Sequence, residues 1–169
     1  PLLSIRGMLD KSTTHKFYKQ ANILYISSHN INAGTIDFYF KLIKEFAPKA
    51  VEAFPSLLYK ICHEMQLKGY RISIPKAFTS SETLYGFQRE MIEPFLQTHI
   101  HDWYGNGERT ICLVQDAKNR YHPLPLYSIN EFDDDQIITT GLTNKNFPLI
   151  RYRVDDIIKV NGNDFYKNI

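Results

Sequence analysis

The stretch Asp102-Trp103-Tyr104-Gly105-Asn106-Gly107-Glu108 separates two halves of the chain whose patterns differ. An aromatic pair ends an apolar run there, and the glycines that follow predict a turn. Because Gly105 and Gly107 lack a β-carbon, the backbone there can take positive φ angles and let a ligand approach closely, and Asn106 tolerates the same geometry. A ring and the Glu108 carboxylate on one tight loop would suit a planar base beside a metal-held phosphate. The alternative interpretation is a glycine-rich turn after a buried strand.

Before this stretch, short apolar strands alternate with segments of helical spacing. Strands are predicted at 2–5, 23–26, 49–54, 72–78 and 99–103, and helices at about 34–47, 55–69 and 84–95. Pro55 suits the first turn of its helix, Gly69 suits a C-terminal cap, and Pro94 should kink or shorten the third helix. From residue 23 onward, the alternation β-α-β-α-β-α-β is typical of a parallel sheet with right-handed crossovers.

Polar loops follow three of the predicted strands, at 54–56, 79–82 and 104–108. In a parallel sheet these loops leave the carboxyl ends of neighbouring strands, which is the edge where open α/β sheets bind ligands. The sequence therefore predicts a ligand site at that edge.

After Glu108 the helical spacing disappears and short strands follow one another. They are predicted at 110–115, 121–126, 128–132, 137–140, 149–153, 157–160 and 165–166, with a solvated acidic turn at Asp133-Asp134-Asp135. This pattern favours an antiparallel β half-barrel. We therefore predict an α/β fold with two subdomains, 1–108 and 109–169. Because the chain starts at Pro1 without a methionine and stops at Ile169 in mid-pattern, we expect both to be incomplete.

Composition excludes several classes of partner. Twenty basic and eighteen acidic residues give a net charge of +2 without a cationic tract, so neither nucleic acid nor a membrane surface is expected as a partner. No apolar run approaches the length of a membrane span. Cys62 and Cys112 are too few for a disulfide framework, which favours a reducing, cytoplasmic location.

Several motifs together resemble the adenylate-forming (AMP-binding) superfamily, in its phenylacetate-CoA ligase-like branch that includes capsular polysaccharide biosynthesis proteins. The three main motifs are Thr79-Ser80-Ser81-Glu82-Thr83-Leu84, Tyr104-Gly105-Asn106-Gly107-Glu108 and Pro148-Leu149-Ile150-Arg151-Tyr152-Arg153-Val154-Asp155-Asp156. Shorter matches are Ser27-Ser28-His29, Phe54-Pro55-Ser56 and Thr140-Gly141-Leu142-Thr143-Asn144. Because these motifs occur in the family's order and spacing, the chain is identified as an internal segment of the large N-terminal domain of such an enzyme.

The resemblance implies an AMP-forming ligase that uses ATP and Mg²⁺ to activate a carboxylic acid as an acyl adenylate. The acyl group would then pass to a thiol, either coenzyme A (CoA) or a carrier protein. Tyr104 would lie against the adenine, Glu108 would hold Mg²⁺ as the catalytic residue, and Asp156 would accept hydrogen bonds from the ribose hydroxyls. Further nucleotide contacts are implied for Ser81, Glu82, Gly105, Asn106 and Arg153.

Two positions depart from the family pattern. Gly107 stands where a Thr or Ser usually reaches the α-phosphate, and Asp155 stands where Gly is usual. The phosphate-gripping Ser/Thr/Gly-rich loop and the lid domain with its catalytic lysine do not occur in these residues. We therefore expect the fragment alone to be inactive, to bind AMP weakly and, through apolar surface left uncovered, to be able to self-associate.

Other interpretations remain for the function and for single residues. The chain could be a non-catalytic nucleotide- or acyl-binding module, or an interaction protein that keeps only the scaffold. His99 with His101, or Cys112 with His122, could suggest a metal, but each pair lacks further ligands. The remaining side chains have structural interpretations: capping or surface for His29, core for Cys62, and an exposed edge strand for Arg151 and Arg153.

Overall fold

A mostly parallel sheet with helices on one face begins the chain, and an antiparallel sheet ends it, in a computed structural model that describes residues 1–133, 136–161 and 164–167. Side chains are described as far as Asp156. The chain divides into a first unit, Pro1–Ile100, and a second unit, His101–Ile169. Asp134 and Asp135 of the predicted acidic turn lie outside the described residues.

The first unit contains a five-stranded sheet and three α-helices among its residues. In chain order the elements are β1 Leu2–Arg6, β2 His15–Tyr18, β3 Ile23–Ser27, a 3₁₀ turn Ser28–Asn30, α1 Ile36–Phe46, β4 Ala50–Ala53, α2 Pro55–Leu67, β5 Ala77–Ser80 and α3 Gly86–Leu96. The strand order is β2-β3-β1-β4-β5. Strand β1 runs parallel to β3 and β4, and β4 runs parallel to β5, which confirms the predicted parallel sheet.

The helices follow the apolar spacing of the sequence. In α1, Ile36, Tyr39 and Ile43 are buried on one face, and the backbone N–H of Ala47 closes the helix on the Ile43 carbonyl. Helix α2 begins at Pro55 as predicted, and Gly69 follows it with φ +72°. These helices bury the face of the sheet that carries Leu3, Ile5, Leu24, Ile26, Val51, Ala53 and Ala77. Each leucine, isoleucine or valine among them contributes about 1.5–3 kcal/mol when fully buried.

Two predictions in this unit were wrong in detail. Strand β5 begins at Ala77 and not at residue 72, and it includes Thr79 and Ser80, so the polar loop begins only at Ser81. Pro75 has no N–H to offer a neighbouring strand, and the Ile74 N–H bonds to the Leu96 carbonyl instead.

The predicted apolar face of α3 was right for Leu84, Met91 and Phe95, which pack partly buried against the core, and wrong for Phe87. Its buried residues are Gln88, Ile92 and Leu96, whereas Phe87 is 57% exposed. Gln88 turns inward because its Oε1 accepts a hydrogen bond from the Tyr85 backbone N–H and so caps the helix start. The helix ends two residues after Pro94.

The second unit is an antiparallel sheet in the order β6-β7-β8-β12-β11-β10-β9. Its strands are β6 Ile100–Gly105, β7 Cys112–Gln115, β8 Tyr121–Pro123, β9 Ser128–Asp133, β10 Gln136–Gly141, β11 Tyr152–Asn161 and β12 Asp164–Lys167. One face buries a separate cluster of Tyr104, Ile111, Leu113, Tyr121, Ile137 and Val154. The antiparallel character predicted for this half is confirmed.

Strand β11 corrects the prediction of separate strands at 149–153 and 157–160. It is one strand with a bulge, because Val154 pairs with Ile137 while Ile157 pairs with Gln136. Two residues, Asp155 and Asp156, are therefore extra on this strand. A bulge bends a strand and redirects the side chains at that point.

Among the helices that the structure describes, none has both the length and the apolar character needed to cross a membrane.

Candidate functional site

Tyr104 and Asp156 meet in the second unit although they are far apart in the sequence. Tyr104 lies on β6 with only 6% of its surface exposed, and its hydroxyl donates a hydrogen bond to Asp156 Oδ2 at 2.6 Å. Asp156 lies in the bulge of β11 and is exposed. The bulge thus directs an accessible carboxylate onto the edge of a buried ring.

The surroundings of Tyr104 keep its hydroxyl protonated. Burial of the ring raises the pKa of Tyr104 well above its usual value, and the hydrogen bond to Asp156 and the negative charges of Asp156 and Glu108 raise that pKa further. The phenol is therefore a permanent donor to Asp156 at neutral pH.

A pH prediction follows for Tyr104. Its pKa is higher in the folded chain than the unfolded value of about 10, so the stabilisation by its neutral form is complete below about pH 10. This stabilisation is lost as the pH rises from about 10 through the pKa of Tyr104 in the folded chain. We expect the difference in free energy of unfolding between wild type and Tyr104→Phe to be constant up to about pH 10 and to shrink above it. Urea unfolding across the alkaline range measures this difference.

Tyr127→Phe is the matched control, because the Tyr127 side chain makes no hydrogen bond within the described residues. The difference in free energy of unfolding between wild type and Tyr127→Phe should not shrink in the same way at alkaline pH. If both differences shrink equally, the effect comes from general charging of the protein and not from Tyr104.

Glu108 lies on the exposed turn after β6, and Tyr152 connects it to β11. The Tyr152 hydroxyl donates to Glu108 Oε1 at 3.3 Å. The charge of Glu108 is the main cause of a raised pKa of Tyr152, with burial and the hydrogen bond itself contributing less. Strand β11 therefore carries one of the two carboxylates, Asp156 in its bulge, and contacts the other, Glu108, through Tyr152 at its start.

Tyr152 was not assigned a role by the sequence. It lies inside the motif Arg151-Tyr152-Arg153, where attention fell on the arginines. Arg153 is exposed, and its side chain forms no hydrogen bond or ion pair within the described part of the chain. Arg151 forms a two-point ion pair with Glu131 at 3.0 and 3.1 Å on the surface. Such exposed pairs contribute about 0–1 kcal/mol to stability.

Asn106 closes the turn between Tyr104 and Glu108. Its Oδ1 accepts from the Thr110 backbone N–H at 2.9 Å, and its Nδ2 donates to Thr110 Oγ1 at 2.8 Å. Both ends of the amide are thus engaged by Thr110, which is itself buried. This bracing fixes the position from which Glu108 projects.

Gly105 and Gly107 do not use the positive φ angles that glycine allows. Among the described glycines only Gly69 has a positive φ. Gly105 is required for a different reason: a β-carbon there would lie 2.8 Å from Trp103 Cζ3 and 3.2 Å from the Ile111 carbonyl oxygen. At Gly107 a β-carbon would meet nothing within 4 Å.

These two glycines form a matched pair for a stability measurement. We expect Gly105→Ala to lower the free energy of unfolding by about 1–3 kcal/mol, since the indole ring of Trp103 or the backbone at Ile111 must shift. Gly107→Ala should be neutral or stabilising by up to about 1 kcal/mol, because it only restricts the unfolded chain. Chemical denaturation of both variants tests the pair, and equal effects would contradict the packing argument.

Ser81 and Glu82 lie in the first unit, at the carboxyl end of β5. Ser81 has a left-handed backbone with φ +69°, which costs a non-glycine residue energy. Glu82 Oε2 accepts from the Ser56 backbone N–H at 3.0 Å, at the first turn of α2. The loops 54–56 and 79–82 therefore meet at one edge of the parallel sheet, as the sequence predicted for these two loops.

The histidines considered as metal ligands contact carboxylates. His99 Nδ1 lies 3.0 Å from Glu93 Oε1, and His122 Nε2 lies 2.9 Å from Asp116 Oδ2. Within the residues that the structure describes, no three His, Cys, Asp or Glu side chains cluster in a way that could hold a metal ion. Cys62 is buried in the core of the first unit, in line with its structural interpretation.

Comparison with known proteins gives the context of this geometry. No family model matches the chain. Protein CapK of Staphylococcus aureus is 20% identical over 157 residues, which cover 89% of this chain and 35% of CapK. Indoleacetate–lysine synthetase of Pseudomonas savastanoi is 27% identical over 150 residues, which cover 82% of this chain and 38% of the synthetase. The chain therefore spans little more than a third of these relatives.

Among solved structures, an open conformation of 2-hydroxyisobutyryl-CoA ligase in complex with 2-HIB-AMP and CoA matches with a TM-score of 0.65. The two are 12% identical, and the match covers 94% of this chain and 43% of the ligase. The chain is thus similar in sequence to CapK and to the synthetase, and similar in fold to part of the ligase. This match establishes the fold alone.

Proposed function

We propose that this chain is part of an AMP-forming ligase that activates a carboxylic acid with ATP and passes the acyl group to an acceptor. The observation that carries the proposal is the meeting of Tyr104, Glu108 and Asp156 in the second unit. Around strand β11 lie two carboxylates, Asp156 and Glu108, and each accepts a hydrogen bond from a tyrosine hydroxyl. The ring of one of these tyrosines, Tyr104, is the proposed contact for a base. A nucleotide needs a ring for its base, an acceptor for its ribose and a counter-charge for its phosphates.

Asp156 is the proposed ribose ligand. Its carboxylate is exposed and retains acceptor capacity beyond the single hydrogen bond from Tyr104. Hydrogen bonds from ribose hydroxyls to a charged group stabilise binding by about 1.5–3 kcal/mol each. Tyr104 positions this carboxylate. Because only 6% of Tyr104 is exposed, the base would contact the ring over a limited area.

Glu108 is the proposed Mg²⁺ ligand and catalytic residue. Mg²⁺ is commonly held by one or two carboxylates together with substrate phosphates and water. A single exposed carboxylate held by a phenol 3.3 Å away fits that donor set. When bound, the ion would offset the negative charge on the phosphates. Tyr152 would keep Glu108 oriented toward the ion.

The remaining proposed contacts are the nucleotide contacts of Ser81, Glu82, Gly105, Asn106 and Arg153. For Asn106 the contact would come from the backbone, since its side chain is engaged by Thr110. The 169 residues include no Ser/Thr/Gly-rich phosphate loop. We therefore propose that ATP turnover needs parts of the protein beyond this segment, and that the segment alone binds AMP weakly.

The acceptor is proposed to be a thiol, CoA or a carrier protein, in a phenylacetate-CoA ligase-like enzyme of the cytoplasm. One structural relative is named as a CoA ligase, which supports a thiol. A curated relative is named as an indoleacetate–lysine synthetase, which favours an amine as the second candidate acceptor. Product analysis after supplying CoA or lysine to the adenylating protein would distinguish them.

A non-catalytic nucleotide- or acyl-binding module is the alternative function. It is favoured by Gly107, which offers no hydroxyl toward an α-phosphate. The deciding experiment is acid-dependent ATP–pyrophosphate exchange by the longest natural protein that carries this segment, with a panel of aryl and alkyl acids. Exchange that requires both an acid and Mg²⁺ supports the ligase. Nucleotide binding without exchange for any acid supports the module.

A further inference from the structure

A cavity of about 480 Å³ opens on the surface of the first unit, beside the C-terminal ends of α2 and α3. One wall comes from the end of α2 and the connection after it, within residues 66–73, and the other from the second half of α3, within residues 90–97. All of these residues belong to the first unit. Volumes of about 300–1,000 Å³ are usual for sites that bind small molecules.

The floor of this cavity is apolar. Ile72, Met91 and Phe95 line it and are packed, partly buried, against the core of the first unit. Tyr70 lines it as well, and its ring is stacked on Phe40 with the ring centres 4.0 Å apart. Because these side chains are held by the core and by stacking, the floor can accept an apolar group without rearrangement.

Two opposite charges, Arg71 and Glu90, lie at the same cavity, and both residues are exposed. Within the part of the chain that the structure describes, neither side chain forms a hydrogen bond or an ion pair, with each other or with a third group. The planar guanidinium of Arg71 matches a carboxylate in two-point geometry. The carboxylate of Glu90 is an acceptor for an ammonium group. Both charges are therefore available to a ligand.

The two helix ends add negative potential at this cavity. Helix α2 ends at Leu67 and α3 ends at Leu96, and neither has a basic residue in its last turn. The last carbonyl groups of a helix carry a partial negative charge, which favours a cation nearby. Lys68 follows α2 directly, but its Nζ lies 3.4 Å from Asp37 Oδ2. The helix ends therefore act in the same sense as Glu90 and favour a positive group on the ligand.

We infer that this cavity binds a small zwitterion with an apolar body, of the class of free aliphatic and aromatic amino acids. Arg71 binds the carboxylate of the ligand, and Glu90 with the two helix ends binds its ammonium group. The apolar floor contacts the side chain of the ligand. The inference uses none of the residues proposed to bind the nucleotide, and it does not depend on the proposed function.

The test uses leucine and two analogues that each lack one charge, leucinamide without the carboxylate and isocaproate without the ammonium group. Calorimetry on the longest natural protein that carries the segment measures the affinity of each. We expect leucine to bind about 10-fold more tightly than either analogue, because only leucine satisfies both charges of the site.

Two variants separate the two ends of the ligand. Arg71→Gln should weaken leucine and isocaproate about 10-fold and leave leucinamide unchanged, because only the first two carry a carboxylate. Glu90→Gln should weaken leucine and leucinamide and leave isocaproate unchanged. Glu45→Gln is the matched control, since Glu45 is exposed on α1, does not line the cavity and makes no hydrogen bond or ion pair among the described residues.

Thermal unfolding of each variant verifies its fold, and the comparison of the three ligands on the unaltered protein does not need the variants. Reciprocal losses in Arg71→Gln and Glu90→Gln support the site. Absence of leucine binding at millimolar concentrations overturns the inference, and so does equal binding of leucine and both analogues. A preference for leucine that neither variant changes places the binding elsewhere and also overturns it. None of these outcomes bears on ATP–pyrophosphate exchange, so the ligase is tested separately.

Discussion

Glu108→Gln is expected to lower the rate of acid-dependent ATP–pyrophosphate exchange about 100- to 1000-fold, the scale of losing one electrostatic contact to developing charge. The amide retains the shape of the carboxylate and an oxygen for the Tyr152 hydroxyl, so the fold should be unchanged. What it loses is the negative charge that a hard cation requires. The loss should therefore be accompanied by a higher Mg²⁺ requirement.

Exchange rates measured over a Mg²⁺ titration separate these effects. Glu131→Gln is the matched control, because it makes the same chemical change in the same unit at a surface ion pair with Arg151. It should leave exchange within about twofold of wild type, since such pairs contribute little. Wild-type kinetics in Glu108→Gln would remove Glu108 from the proposed metal site.

Asp156→Ala should raise the KM for ATP about 10- to 150-fold, the equivalent of losing about 1.5–3 kcal/mol of hydrogen bonding to a charged acceptor. The proposed ribose contact would be made equally in the ground state and the transition state, so kcat should fall much less than kcat/KM. Removal of the carboxylate also leaves the Tyr104 hydroxyl without this acceptor at a buried position. Saturation kinetics with ATP at a fixed acid concentration measure the effect.

Asp155→Ala provides the control for Asp156. The two residues are adjacent in the same bulge and both are exposed, but only Asp156 contacts Tyr104. We expect Asp155→Ala to change the KM for ATP only a few-fold. Tyr104→Phe should fall between the two, because it removes the positioning hydrogen bond and retains the carboxylate. Equal KM values in Asp156→Ala and Asp155→Ala would contradict the ribose assignment.

The fold was predictable where local chemistry and long-range packing agree. The apolar spacing of α1 and the Pro55 and Gly69 signals of α2 place those helices correctly, because the same residues fill the core. The prediction failed for Gln88, whose amide is needed to cap α3 and is therefore drawn inward. Polar character alone could not indicate this.

The candidate site was predictable to a similar extent. The resemblance of the motifs indicated Tyr104, Glu108 and Asp156 as candidate residues, and in the structure Tyr104 donates a hydrogen bond to Asp156. The role of Tyr152 could not be predicted, because its contact with Glu108 joins residues far apart in the sequence. The packing of Gly105 against Trp103 could not be predicted either, because a glycine is equally suited to a positive φ angle and to close packing.

The sequence by itself determined the order of most helices and strands and the change from parallel to antiparallel pairing, and it supplied the candidate residues for the proposed chemistry. Helices and strands were predictable because apolar periodicity and turn residues are local signals, which lie within a few residues of one another in the sequence. Only the tertiary structure decided that Asp155 and Asp156 form a bulge and that Tyr104 holds Asp156. These features depend on the register between distant strands, and register is set by which side chains pack together when the sheet forms.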